Sequence, residues 1–328
     1  MNASFRYRTL VLTCVVAWLF VAASLPARAS AEGSFDRTLQ VNGAVNLDLT
    51  TGSGDIRIHV GNSSQVQISG RIKVTNWFGG DAEDRVKRIE SNPPIQQSGN
   101  DIRIGHIEDP ELRRNVSISY DVIVPADTQL RSHSGSGNQT IQGIHGSAEV
   151  ESGSGDLSIS NIGNTVRADT GSGAIQIEQV KGNVHAKAGS GDIHATGVAG
   201  GFEGHTGSGH IQVEQTAPGS VNVETGSGGI ELTGVHGSLD ANAGSGDISA
   251  EGAPTGSWTV HTGSGTVNLK VAAGTAFDLD ARSSSGSITV SQPMTVQGTI
   301  ARKEIHGKVN GGGVQVRVET GSGNVEIE

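Results

Sequence analysis

Residues 171–188 read GSGAIQIEQVKGNVHAKA, and the reading of this stretch decides the fold. Ile175 and Ile177 alternate with Gln176 and Glu178. After a bend at Lys181-Gly182, Val184 and Ala186 alternate with His185 and Lys187. That spacing predicts two period-2 strands, each with one apolar and one polar face. The same phrase returns along the chain. Gly-Ser-Gly begins at Gly135, Gly153, Gly171, Gly189, Gly207, Gly226, Gly244 and Gly263, at intervals of 18 or 19 residues. Outlying copies begin at Gly52 and Gly321, and a blurred one is Ser284-Ser285-Gly286. A fixed short period predicts a solenoid.

One rung cannot bury its own apolar face; stacked rungs can, each strand pairing with its equivalents at roughly 4.8 Å. About ten rungs would form a rod on the order of 45–50 Å long. The inward residues (Val, Ile, Ala) are small enough for two sheets to lie close together. Glycine makes up 49 of the 328 residues, about twice the usual ~7%. We assign the excess to turns that need positive φ. Such a composition also occurs in disordered chains, but those lack the unbroken alternation seen here. The expected fold is all-β: a β-solenoid of rungs of about 18 residues, two strands per rung, with a short N-terminal α/β capping insertion.

The chain divides accordingly. Residues 1–29 read as a secretory signal: Arg6 and Arg8, an apolar run from Leu10 to Leu25, and the A-x-A site Ala27-Arg28-Ala29. An uncleaved anchor is the alternative, although the run is short for a span of ~20 residues. Cys14 lies inside this run after Thr13, a poor context for lipid attachment. It is the only cysteine, so the mature chain can form no disulfide. Loss of Arg6, Arg8 and Arg28 leaves 20 basic against 33 acidic residues, a net of −13. That balance argues against nucleic acid and anionic membrane as partners. No later run is long enough to span a bilayer, so no stable span is expected after cleavage.

Residues 30–130 hold an opening rung and the insertion, placed at 71–115 and folding over one end or side of the stack. A short helix is expected from Asp81 to Ile89, capped by Asp81, with Val86 and Ile89 on one face and Pro93-Pro94 beyond its end. Residues 131–328 are the solenoid repeats. The chain closes on VQVRVETGSGNVEIE, a clean rung with no polar segment after it. That rung is the expected open edge, covered by the insertion or by another chain, and the expected place for self-association.

The strings RIKVTNW (71–77), RVKRIESNPPIQQSGNDIRIG (85–105) and NVSISYDVIVPADTQLRSHSGSG (115–137), followed by tandem GSG repeats, resemble a bacterial envelope family described as a putative adhesin domain of unknown function. The resemblance runs from about residue 35 to the end. It implies a β-solenoid exported across the inner membrane, in the periplasm or at the cell surface. It supplies no catalytic or binding residues, and "adhesin" there rests on shape alone.

Candidate chemistry is thin. A phosphate loop needs a helix N-terminus behind it and usually a lysine, whereas a strand follows each GSG and no GK[ST] occurs. The 18-residue period is two nonapeptides, as in calcium-binding rolls. Aspartate follows the turn at Asp55, Asp156, Asp192 and Asp247, but Asn138, Ala174, His210, Gly229, Thr266, Ser287 and Asn324 take the place elsewhere. Six to eight oxygens cannot come from such a column. We expect those carboxylates to bond the amides of their own turns.

The eleven histidines contain no H-x-H or HExxH. One outward column is expected to run Asp169, Lys187, His205, Glu224, Asn242, His261, Asp280, and its companion Arg167, His185, Glu203, Asn222, Asp240, both mixed in sign. Short turns leave no cleft of the kind polysaccharide enzymes use. Glu108-Asp109-Glu111 beside Arg113-Arg114 reads as a solvated loop with local ion pairs, and no G-x-S-x-G elbow occurs. We therefore expect no catalytic, cofactor-binding or metal residues and no cofactor. The expected role is a non-enzymatic envelope module whose partner is a protein or glycan of the envelope. The alternatives are a polysaccharide-binding or -processing protein with its site in the insertion, with a pocket near Trp77, Phe78 and Glu108 as its mark, and a self-assembling structural element.

Overall fold

The computed structural model describes residues 29–61, 64–76, 81–296 and 303–328. The signal reading of residues 1–29, Cys14 with it, and Trp77 and Phe78 lie outside the described residues, save for Ala29.

Successive strands alternate between two sheets, sheet A of 14 and sheet B of 15 strands among the described residues. Each strand lies parallel to its counterpart one rung away. In sheet A, Ile175–Val180 pairs with Ile193–Val198, placing Ile175 beside Ile193 and Ile177 beside Ala195. In sheet B, Val166–Thr170 pairs with Val184–Ala188, placing Val166 beside Val184 and Ala168 beside Ala186. Period-2 alternation therefore becomes two continuous inward surfaces, with the polar residues outside. The core between them is the expected Val, Ile and Ala layer, with a few large residues. The Phe202 ring lies over Gly204, where a Cβ would strike it. Trp258 is fully buried and donates its indole N–H to the Gly237 carbonyl at 3.0 Å.

The N-terminal end departs from rung geometry. Ala29–Gln40 runs antiparallel to Gln65–Asn76, which runs antiparallel to Val116–Val124, and that strand joins the parallel stack beside Ile56–Val60. Gln65–Asn76 passes through residue 71 unbroken. On sheet B the hairpin Ile95–Ser98/Asp101–Ile104 lies against Val45–Thr51. Helix α1 (Ala82–Ser91) buries Ala82, Val86 and Ile89, with Val86 directly over Gly33. Asp81 makes no capping hydrogen bond. Its backbone is near-helical (φ −95°, ψ −3°), which corrects the expectation that it caps α1; acidic Glu83 and Asp84 still occupy the first turn.

The outer edge of Ala29–Gln40 is blunted by side chains. Glu90 accepts from Ser34 N at 2.9 Å, Arg37 donates to Asp36 O, and Gln97 donates to Gln40 O. These contacts occupy groups that another strand would use.

The other end corrects an expectation. The C-terminal rung is not the open one. Val314–Ser322 lies between Trp258–Ser264 and Phe277–Ser283, and Val325–Ile327 between Val267–Val271 and Ile288–Val290. The chain forms the outermost rung first, folds Glu304–Val309 antiparallel along Phe277–Ser283 with Met294–Val296 beyond it, and then returns to fill the gap. Val316 to Thr320 and Val325 to Ile327 are therefore paired on both sides, and the edge assumed for self-association does not exist there. The outermost position falls to the blurred Ser284-Ser285-Gly286 turn.

Candidate functional site

The GSG turns are structural, for a reason other than the expected one. Each turn sits directly on the turn of the preceding rung. A Cβ at Gly173 would lie closer to the Gly155 carbonyl oxygen than real Cβ atoms come. Gly155, Gly173 and Gly191 are not in the left-handed region. At these three, close backbone approach alone excludes a side chain, whereas Gly54, Gly246, Gly265 and Gly323 in four other copies also have φ of 153° to 159°. A strand follows each turn, so no helix N-terminus faces an anion.

Two hydrogen-bond ladders bind turn to turn. Contrary to expectation, the Asx residues do not bond their own turns; they reach the next rung. Asp156 accepts from Ala174 N at 2.9 Å, Asp192 from His210 N at 2.8 Å and Asp247 from Thr266 N at 2.7 Å. The carboxylate points along the stack because the amide it meets is one rung away. The second ladder escaped the sequence reading. The residue before each GSG is often Ser or Thr, and these hydroxyls are buried. Thr170 Oγ1 donates to Gly155 O at 3.0 Å and accepts from Gly173 N at 3.2 Å; Thr206 repeats this with Gly191 O and Gly209 N. The signal in the sequence was the recurring Thr or Ser at an inward strand position.

Outward columns on sheet B follow the expected registers up to the last rungs. Arg167, His185, Glu203, Asn222 and Asp240 are successive neighbours, as are Asp169, Lys187, His205, Glu224, Asn242 and His261. His261 then meets Glu319, not Asp280, because the returning strand intervenes and Asp280 joins the other column beside Arg317. Eight of the eleven histidines sit within 3.7 Å of a carboxylate, which makes them members of charge ladders. Glu203 lies between His205 at 3.3 Å and His185 at 2.8 Å. Hydrogen bonds from His205 and then His185 hold its carboxyl below the usual range. Among the described residues no group of three or more His, Cys, Asp or Glu is placed to hold a metal ion.

A cleft does exist, against expectation, at the N-terminal end. Gly52-Ser53-Gly54 is the lowest turn of its column, and a Cβ on Gly52 would meet nothing within 4 Å. The space beside it is walled by residues 105–114, including the single-turn helix α2 (Pro110–Arg113). The wall is clamped to α1: Arg85 donates to Arg114 O at 2.6 Å and to Glu111 O, and Arg88 pairs with Asp109 at 3.0 Å. Within the acidic cluster it is Asp109 that forms an ion pair, with the helix rather than with Arg113-Arg114.

The cleft encloses about 530 Å³ and is lined by Arg103, His106, Glu108, Arg113, Tyr120 and His133 among others. Its rim joins a larger groove of about 1040 Å³ on the outer face of sheet B, through Gln96 and Arg103. Tyr120 packs its ring edge-on to Phe35, with centroids 6.3 Å apart, and is 2% exposed. Its hydroxyl has no hydrogen-bond partner among the described residues, and burial raises its pKa, so it stays protonated.

The family model described as Toastrack DUF4097 matches residues 182–328, on the repeats and closing rung rather than on the strings at 71–137 that carried the resemblance. Two solved structures are similar. One is described as a putative cell adhesion protein from Clostridium sporogenes ATCC 15579 (12% identity, 90% of this chain and 99% of that one, TM-score 0.22). The other is a putative adhesin from Bacteroides fragilis NCTC 9343 (11% identity, 90% and 97%, TM-score 0.29). No curated protein matches the chain at a significant level.

Proposed function

We propose that this chain, whose residues 182–328 form a Toastrack domain of unknown function, is a non-enzymatic, adhesin-like module of the bacterial envelope or cell surface. One observation carries the reading. The outward face of sheet B holds its polar columns in register rung after rung, as in Arg167, His185, Glu203, Asn222 and Asp240, so repeated side chains are offered at constant spacing on a rigid surface. Such a face suits a repetitive partner, a glycan or a protein of the envelope. Export is supported by the signal-like residues 1–29. No helix among the described residues is long and apolar enough to cross a membrane.

The test is fractionation of a tagged protein, followed by capture from solubilised envelope. The reading expects the protein outside the cytoplasm and a partner that is lost when Lys187, His205 and Glu224 are all replaced by alanine. A cytoplasmic protein, or capture unaffected by that replacement, would contradict it.

A further inference from the structure

The cleft at the foot of the turn column has features that stacking does not explain. Arg103 and Arg113 line it, and neither makes an ion pair with any described residue. His106 and His133 stand at the rim, balanced by Asp48 at 3.7 Å and Glu151 at 3.4 Å. Glu108 lines the cleft as well, so two guanidinium groups without ion pairs stand there against one carboxylate and leave the lining net positive in a chain of net charge −10. Guanidinium forks match carboxylates in bidentate geometry. Tyr120 forms part of the same wall, with its hydroxyl buried beneath the surface.

The adjoining groove narrows the class of ligand. Arg103, Asp48, Arg131, Glu149 and Arg167 are successive neighbours on the outer face of sheet B. Arginines therefore recur at every second rung, roughly 9.6 Å apart, with a carboxylate between each pair. A uniform polyanion would lie on Asp48 and Glu149 as often as on the arginines. A chain in which acidic and neutral units alternate would not, and that arginine spacing is close to the repeat of an extended disaccharide.

We propose that the cleft binds the carboxylate of an acidic sugar between Arg103 and Arg113, and that the groove carries the following units of a glycan alternating uronate with neutral sugar. This deepens the surface-module reading and rests on it.

The experiment is titration calorimetry of the protein with a hyaluronan octasaccharide, in which glucuronate alternates with neutral N-acetylglucosamine. Chitohexaose serves as the neutral control and inorganic phosphate as the small-anion control. Saturable binding of the octasaccharide is expected. It should weaken at least tenfold in R103Q/R113Q, with a melting temperature no lower than wild type, and should weaken further as salt rises. The proposal is overturned by no binding at millimolar ligand, by equal binding in R103Q/R113Q, by equally tight chitohexaose, or by phosphate displacing the octasaccharide at equal concentration. Envelope capture by a wild-type protein that shows no octasaccharide binding would sink the cleft and leave the surface-module reading standing.

Discussion

Replacing Thr170 by valine removes one oxygen and leaves the shape of the side chain intact. Thr170 is buried, and its hydroxyl joins two backbone groups of stacked turns, Gly155 O at 3.0 Å and Gly173 N at 3.2 Å. Both glycines are themselves buried, so water cannot readily replace the hydroxyl. Each of the two backbone groups left without a partner costs roughly 1.5–2.5 kcal/mol, the middle of the range for a buried unsatisfied group, and the added methyl recovers about 1 kcal/mol at most, so T170V should lose about 2–4 kcal/mol locally. A solenoid unfolds by neighbouring rungs, which makes a single global midpoint a blunt readout. Hydrogen exchange at the Gly173 amide reads the site itself, and its protection should fall by a factor between roughly 30 and several hundred. T170S keeps the hydroxyl and should stay within about tenfold of wild type. Unchanged protection of Gly173 in T170V would refute the reasoning, because the buried hydroxyl would then not be what couples the turns.

The same stacking predicts opposite outcomes for one mutation in two copies of the motif. Gly153→Ala would drive a Cβ into the Gly135 carbonyl and should lower stability by about 2–4 kcal/mol, whereas Gly52→Ala, with nothing beneath it, should stay within about 0.5 kcal/mol in urea melts. Removing the inter-rung acceptor in Asp156→Ala should cost about 0.5–1.5 kcal/mol, because the Ala174 amide it frees is exposed. Millimolar calcium should leave the melting temperature of wild type and D156A alike unmoved, since this column alternates Asp with Ala, His and Gly. Glu203 has a depressed pKa, so its contribution is present above the ordinary carboxylate pKa and is lost as pH falls through the lower folded value. The melting-temperature difference between wild type and E203Q should therefore be largest above the ordinary carboxylate range and fade as pH drops through the lower folded value, and it should be small because the group is solvent-screened.

The repeat was legible because inward residues such as Ile175, Ile177, Val184 and Ala186 occupy a strict two-residue period, and only stacking buries them. The registers of the outward columns followed from the same arithmetic. What escaped the reading is what depends on the neighbouring rung. Glycine in a turn is compatible with positive φ or with close approach, and only the Gly155 carbonyl beside Gly173 distinguishes the two. Asp156 follows its own turn in sequence, yet the amide it bonds is Ala174, eighteen residues away. The closing rung looks terminal because the chain ends there, but pairing order need not follow chain order, and Val316 lies between Trp258 and Leu279. The cleft was illegible for a similar reason. Gly52, Arg113 and Tyr120 are far apart along the chain, and nothing in their local sequence brings them together.

The central claim is that rungs stack in parallel at one strand spacing and that the last rung in sequence is not the last in space. Electron spin-echo distances between labels test both parts on the cysteine-free chain that begins at Ser30. Along the outward column of sheet B, Lys187 to Glu319 spans five rungs and Lys187 to Arg282 six. Labels at Lys187→Cys with Glu319→Cys should lie about 24 Å apart, and with Arg282→Cys about 29 Å, the later residue in sequence being the nearer in space. A Glu319 distance longer than that of Arg282 would contradict the interleaved closing rung, and broad distances that do not grow with rung number would contradict the stack.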